Sequence, residues 1–464
     1  MKKYDIVVLG AGPGGYVSAI RAAQLGATTA IVEKNKVGGA CLNAGCIPTK
    51  ALIKNVEILH NIEMGRKRGI KVEKIELDYK QAIKVKDKAV KQLVRGVEGL
   101  LKSAGVEIYI GMGICRGNNY ISVELQDGRI EEIEYGKLII ATGSEPAIPS
   151  IDGIETEGVV TSTELLARDT LMEHLIIVGG GVIGCEFASI FRAYGVQVTI
   201  VEMLPNLVAI LDEDISHYMA EVLASMGVDI KLGKRVDKIE KNKDGTLNVL
   251  IEDENNKEKV TGDQVLISIG RVTNLEGLEV LNLETERKGI VVNDMLETST
   301  PGVYAIGDVT GKKQLAHVAS EMGIVAAENA MGAGKMMNLN IVPSCVYTIP
   351  EVGSVGITKK EAKKKGYNPV VGEFPLMFCG KAIATGEPDG VFKIVADKET
   401  RKILGAHFIG KSATELISEA AAFIKMGATI DDITDTIHAH PTVSESVAEA
   451  VRNIDGRSIH MPSE

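Results

Sequence analysis

Short apolar runs with little polar alternation recur along the chain, and each ends in a glycine-rich turn or an acid. Runs of this kind read as strands buried on both faces, the habit of parallel sheets covered by helices. The first is Tyr4-Asp5-Ile6-Val7-Val8-Leu9. Gly10-Ala11-Gly12-Pro13-Gly14-Gly15 then forms a turn, and a helix is predicted from about Gly14 to Leu25, stopped by Gly26. Thr28 to Val32 is a second strand, closed by Glu33. The order repeats once. His174 to Val178 is a strand, Gly179-Gly180-Gly181-Val182-Ile183-Gly184 a turn, and Val182 to Tyr194 a helix stopped by Gly195. Gln197 to Val201 is its second strand, closed by Glu202. Further strand-to-turn runs are Lys137–Ser144, Val265–Arg271 and Val303–Asp308. This alternation predicts an α/β fold holding two copies of one parallel unit.

Both turns have the G-x-G-x-x-G spacing, and in both the closing acid stands 23 residues after the first glycine. Each glycine has a separate task. The first makes the tight turn, the second lets backbone N–H groups approach a pyrophosphate, and the third lets helix and strand pack closely. The helix N-terminus attracts the anion, and the acid accepts from ribose hydroxyls. One such motif is weak evidence; two in context imply two bound dinucleotides. Glu202 would repel a 2′-phosphate, so the second site should prefer NAD to NADP. Asp308, at the end of the third extra run, reads equally as a sugar-hydroxyl partner or as a turn or helix N-cap residue.

Composition narrows the rest. The 464 residues suggest about three domains. Glycine is in surplus, 50 residues with only 13 proline, and shows no fibrous period. A net charge of -10 disfavours nucleic acid as a partner, and Lys359, Lys360 and Lys363–Lys365 read as a solvated helix face. No apolar run approaches the roughly 20 residues of a membrane span. The first strand begins three residues after Met1, which leaves no space for a leader, so a cytoplasmic protein is expected.

Of six cysteines, only Cys41 and Cys46 are close in sequence. On an ideal helix, residues five apart have Cα atoms about 8.6 Å apart. A disulfide needs less than roughly 7 Å, so a bridge would require a broken helix. Gly45, Ala40 and Ala44 permit the break, and Pro48 suits a first helical turn. Cys46 then lies near a helix N-terminus, where a thiolate is favoured, with Lys50 as a nearby cation. A redox-active pair fits this best; zinc ligation and two inert thiols are the alternatives. The run His438-Ala439-His440-Pro441-Thr442-Val443-Ser444-Glu445-Ser446 reads by itself as a loop entering a helix. His440 with Glu445 could also form a general base and its orienting carboxylate. No metal site is expected, because neither the cysteines nor His438 and His440 have further ligands at fitting spacing.

Taken together, Gly38–Lys50 (GGACLNAGCIPTK), the two dinucleotide units, Tyr304–Asp308 (YAIGD) and His438–Ser446 resemble the class I pyridine nucleotide–disulfide oxidoreductases, over essentially the whole chain. The resemblance implies two Rossmann-like domains, for FAD and NAD, plus an α+β interface domain that forms a homodimer. The implied divisions are 1–145 for FAD, 146–271 for NAD, 272–341 as a central domain completing the FAD site, and 342–464 as the interface domain. It implies a redox disulfide of Cys41 and Cys46, a His440–Glu445 base, and a Lys50–Glu186 pair beside the flavin. FAD contacts would come from Gly10, Gly12, Gly15, Glu33, Lys50, Gly113, Ala141, Thr142, Gly143, Asp308 and Ala316. NAD contacts would come from Gly179, Gly181, Gly184, Glu202, Val236 and Gly270.

Within the family, Glu202, Leu315-Ala316-His317, Tyr347–Val352 and His438–His440 are similar to members that oxidise dihydrolipoamide to lipoamide with NAD+. The partners so implied are a second copy, whose disulfide His440 would reach, and lipoyl domains of the E2 component of 2-oxo acid dehydrogenase complexes or of the H-protein of glycine cleavage. His440-Pro441 is a candidate cis bond. The chain departs from the family pattern at Ala40, at Val272-Thr273 and at Phe378-Cys379-Gly380.

Overall fold

The computed structural model describes residues 1–117, 119–286 and 289–462. Five strands run parallel in the first sheet. Lys2–Leu9 is central, with Thr29–Glu33 and then the start of Glu107–Gly117 on one side, and the end of Ile130–Ile140 and then Val303–Ala305 on the other. Between the third and fourth of these, the chain makes an antiparallel meander through Tyr120–Leu125. The second sheet repeats the plan. His174–Val178 is flanked by Gln197–Glu202 and Asp229–Leu232 on one side and by Gln264–Ile267 on the other, all parallel. A meander of Arg235–Lys241, Leu247–Glu252 and Lys257–Gly262 again precedes the fourth strand. The internal repeat is therefore longer than its glycine motif. It extends through a third strand, a meander and a fourth strand whose sequences have diverged.

Both sheets are covered on both faces, as their unbroken apolar strands require. Ile6, Val7 and Val8 are buried in one, Ile176 and Ile177 in the other. In the first, the helix Pro13–Gln24 packs against the helix Ala316–Ala330; a Cβ at Gly323 would stand 2.5 Å from the Gly14 carbonyl oxygen. A third sheet, antiparallel, orders Ser344–Val346, Glu351–Gly356, Ile403–Gly410, Val391–Asp397 and Pro369–Pro375. Phe392 and Phe408 stack at 4.2 Å in its core, which the helices Ala413–Met426 and Glu445–Asn453 complete.

One packing stripe sets the geometry of the site. The helix Cys46–Lys67 buries Thr49, Leu52, Ile53 and Val56, the i, i+3, i+4, i+7 face of an amphipathic helix. Leu52, Ile53 and Val56 join Phe187 and Phe191 of the helix Val182–Ala193 in one apolar cluster. Burial of this stripe brings the start of the cysteine helix against the second nucleotide unit. No helix among the described residues is long and apolar enough to cross a membrane.

Candidate active site

One cleft of about 2320 Å³ runs between the two glycine turns. Its walls include Gly10, Gly12, Glu33, Gly113, Ala141, Thr142, Gly143, Asp308 and Ala316 at the first unit. Gly179, Gly181, Glu202, Val236 and Gly270 line it at the second, and Cys41, Cys46, Lys50 and Glu186 lie between. Gly15 and Gly184 stand behind the wall.

The two turns are built alike. A Cβ on Gly10 would lie 2.2 Å from the Ala141 carbonyl oxygen, and one on Gly179 would lie 2.6 Å from that of Ser268. Each first glycine thus lets the turn pass under the fourth strand. A Cβ on Gly15 would reach 1.9 Å from Gly10 O, and one on Gly184 2.1 Å from Gly179 O, so each third glycine seats its helix. The second glycines differ. Among the described residues, a Cβ on Gly181 would meet no atom within 4 Å, and one on Gly12 only Gly39 Cα at 4.0 Å. Neither has positive φ; each is the uncapped start of its helix, at φ -68 and -75. The protein itself does not need glycine at these two positions, whereas a pyrophosphate against the backbone N–H groups does. That fits FAD and NAD.

The closing acids clamp their turns. Glu33 accepts from Ala11 N–H and Asn35 N–H, both at 2.8 Å. Glu202 accepts from Gly180 N–H at 2.6 Å and Leu204 N–H at 2.8 Å. Each carboxylate oxygen keeps a lone pair for the cleft. Asp308 lies within the turn Gly307–Thr310, where Ile306 and not Asp308 holds the N-cap position. Its carboxylate accepts from Ser144 Oγ at 2.5 Å and lies 3.9 Å from Arg271 Nε.

The cysteine segment is two helices broken at a glycine. Gly39–Ala44 ends at Gly45, with φ -149 and ψ -113, and Cys46 opens the next helix. Both thiols are free, and the Cys41 thiol donates to the Cys46 sulfur. That donation, the Lys50 cation and the Cys46 N–H hold the Cys46 thiol down to about 7, against burial. The same hydrogen bond, with burial, pushes Cys41 up. Burial, aided by Glu279, raises Cys115 to about 12 and, aided by Glu351, Cys345 to about 11, so these remain thiols. Lys50 Nζ lies 2.9 Å from both oxygens of Glu186 and 4.3 Å above the Tyr347 ring. Glu186 also accepts from Tyr347 N–H at 3.0 Å.

His440 stands elsewhere. Its Nδ1 lies 2.9 Å from Glu445 Oε1, and its side chain is 77% exposed, outside the cleft. Burial would raise the Glu445 carboxyl, but Thr442 N–H and His440 hold it below the ordinary range. The His440-Pro441 bond is cis, as is Ile349-Pro350. Cys379 is buried and donates to Thr442 O at 3.7 Å, so Phe378-Cys379-Gly380 underlies the His440 loop. His438 is tied to Glu419 at 3.0 Å. Among the described residues no group of three or more His, Cys, Asp or Glu could hold a metal ion.

Residue reading alone missed Ser144, Arg271 and Tyr347 as parts of the site. Arg271 donates through Nε to Ser144 Oγ at 2.7 Å, which fixes the hydroxyl that reaches Asp308. For Ser144 and Arg271 the sequence signal was the echo between Lys137–Ser144 and Val265–Arg271, and nothing in that echo says that the two ends meet.

Comparison with known proteins agrees with this architecture. The model of the pyridine nucleotide-disulphide oxidoreductases matches residues 4–323, and that of their dimerisation domain matches residues 342–451. A dihydrolipoyl dehydrogenase of Bacillus subtilis (strain 168) is 42% identical, covering 99% of each chain. One of Thermus scotoductus is 41% identical, again with 99% of each chain. The crystal structure of LpdA from Mycobacterium tuberculosis superposes with a TM-score of 0.89 at 28% identity, over 98% of this chain and 100% of that one. With two dinucleotide cradles, a cysteine pair between them and a dimerisation domain, the chain belongs to the pyridine nucleotide-disulphide oxidoreductase family.

Proposed function

We propose that this protein oxidises the dihydrolipoyl groups of carrier domains to lipoyl groups, with NAD+ as the final acceptor. The observation that carries the reading is the Cys41–Cys46 pair on the wall of one cleft shared by both cradles. End-to-end likeness to proteins named dihydrolipoyl dehydrogenase supports the substrate. Glu202 supports NAD over NADP, because a 2′-phosphate would meet a carboxylate already fixed by two N–H groups.

In the oxidised enzyme Cys41 and Cys46 are joined. His440 Nε2 takes a proton from one dihydrolipoyl thiol, and Glu445 at Nδ1 fixes the tautomer and stabilises the imidazolium. The lipoyl thiolate attacks Cys41 Sγ, the S–S bond breaks, and Cys46 leaves as a thiolate. The Lys50 cation and the N–H at the helix start favour the departing thiolate. The second lipoyl thiol then attacks the mixed disulfide as its proton passes to Cys41, closing the lipoyl ring and releasing Cys41 as a thiol. Two electrons have passed to the cysteine pair. Gly10, Gly12, Glu33 and Asp308 would hold FAD, which when bound would supply the two-electron link from this dithiol to NAD+. Lys50 and Glu186 hold the charge around Cys46 steady.

His440 lies outside the cleft of its own chain, so it serves the cysteine pair of a second copy. The working unit is then a homodimer, in keeping with the dimerisation domain. Lipoyl domains of a multienzyme core or of an H-protein are its partners. The test is steady-state assay of the purified protein with free dihydrolipoamide and NAD+. Turnover that needs both Cys41 and Cys46 supports the reading; turnover that survives Cys41→Ser removes it.

A further inference from the structure

We propose that Lys393, on the carboxyl-terminal sheet, is a positioning residue for the nucleotide of the second cradle. This rests on the reading that the second cradle holds NAD. The segment 203–212 joins Glu202 to the helix Glu213–Ser225, and Met203, Leu204, Asn206 and Val208–Leu211 line the cleft beside the acid. Ile210 is 79% exposed and Met203 67%, so these apolar side chains are not held by packing on their outer side. The loop is fixed from below and at its ends. Leu204 N–H is held by Glu202, Val208 N–H donates to Gly180 O at 2.8 Å, and Asp212 ends it.

Asp212 is buried, and its carboxylate accepts from Asp214 N–H at the helix start. It also accepts from Lys393 Nζ at 2.8 Å. Lys393 sits mid-strand in Val391–Asp397 and is itself buried. Its ammonium also bonds Asp214 and lies 3.8 Å from Glu373. Opposite it on the neighbouring strand is His407, buried, with Nδ1 2.7 Å from Ser354 Oγ. A buried ammonium is retained only where it is paired, and two of its three carboxylates belong to the second nucleotide unit. Without the ammonium, the Asp212 carboxylate is a buried charge with one N–H partner among the described residues. It turns toward water, and the end of the cleft-lining loop moves with it. Cys41, Cys46 and Lys50 lie on other elements, so the thiol chemistry is untouched.

The experiment titrates NADH onto purified FAD-loaded wild type, Lys393→Met, Lys393→Arg and Asp214→Asn. It also follows the rate at which dihydrolipoamide reduces each enzyme with no NAD+ present. Lys393→Met should raise the NADH Kd about tenfold, the equivalent of 1.4 kcal/mol. Its reduction by dihydrolipoamide should match wild type. Lys393→Arg should recover part of the affinity, and Asp214→Asn, at an exposed carboxylate, should show a smaller rise in a protein that folds. An NADH Kd within about twofold of wild type in Lys393→Met overturns the proposal. Should Lys393→Met not fold, the same result in Asp214→Asn overturns it, as do equal losses in both measurements. Failure of wild type to bind NADH removes the reading of the second cradle instead, and this inference with it.

Discussion

The Lys50 ammonium lies 2.9 Å from both oxygens of Glu186, although 136 residues separate them in the chain. This pair ties the cysteine helix to the second nucleotide unit. It also sets opposing influences on Cys46, since Lys50 lowers the thiol and Glu186 raises it. In a Cys41→Ser background, where a hydroxyl keeps the hydrogen bond, Lys50→Met should move the Cys46 midpoint upward from about 7. It should approach the roughly 8.5 of a free thiol. Glu186→Gln should move it downward. Iodoacetamide alkylation measured against pH reads both. At pH 7 the first change slows alkylation and the second speeds it; shifts of the same sign would mean that the pair does not act as described.

His440→Gln should cut turnover with dihydrolipoamide by about 10²-fold or more, the usual contribution of a general base. NADH oxidation by an artificial electron acceptor should be unchanged, because that reaction needs no proton from a dithiol. Glu445→Gln should lose less than His440→Gln, since the imidazole remains and only its orientation suffers. Equal turnover in wild type and His440→Gln would remove the base assignment.

The glycines of one motif should separate into two kinds. Gly184→Ala places a Cβ 2.1 Å from Gly179 O and should lower the stability of the cofactor-free protein by about 1–3 kcal/mol, the cost of overpacking. Gly181→Ala meets no atom of the described residues within 4 Å. It should cost less than about 1 kcal/mol, a helix-start effect, while weakening NADH binding. Thermal melting and NADH titration on both variants provide the check. Equal melting losses would contradict the assignment of the second glycine to the ligand.

The parts of this site that the sequence declares are those written within a few residues. Gly10 and Gly15, or Gly179 and Gly184, are set by a local turn whose clashes involve the turn itself or the strand end it passes. Cys41, Gly45 and Cys46 announce a broken helix for the same reason. The mirrored clamps of Glu33 and Glu202 were half legible: the spacing marks the acid, but not that both oxygens hold backbone N–H groups. Contacts that depend on how whole elements pack leave no local trace. Tyr347 under Lys50, Arg271 against Ser144, and Lys393 against Asp212 each join segments brought together by apolar faces elsewhere. The diverged third and fourth strands of the repeat were hidden for a related cause. A buried strand needs only apolar residues of fitting size, so its sequence drifts while its place in the sheet remains.

The most direct test of the account pairs substrates with nucleotides on the purified flavoprotein. Dihydrolipoamide with NAD+ is set against glutathione disulfide with NADPH, each in wild type and Cys46→Ser. Turnover is expected of the first pair only, abolished by Cys46→Ser. Efficient reduction of glutathione disulfide by NADPH, with little oxidation of dihydrolipoamide, would contradict it.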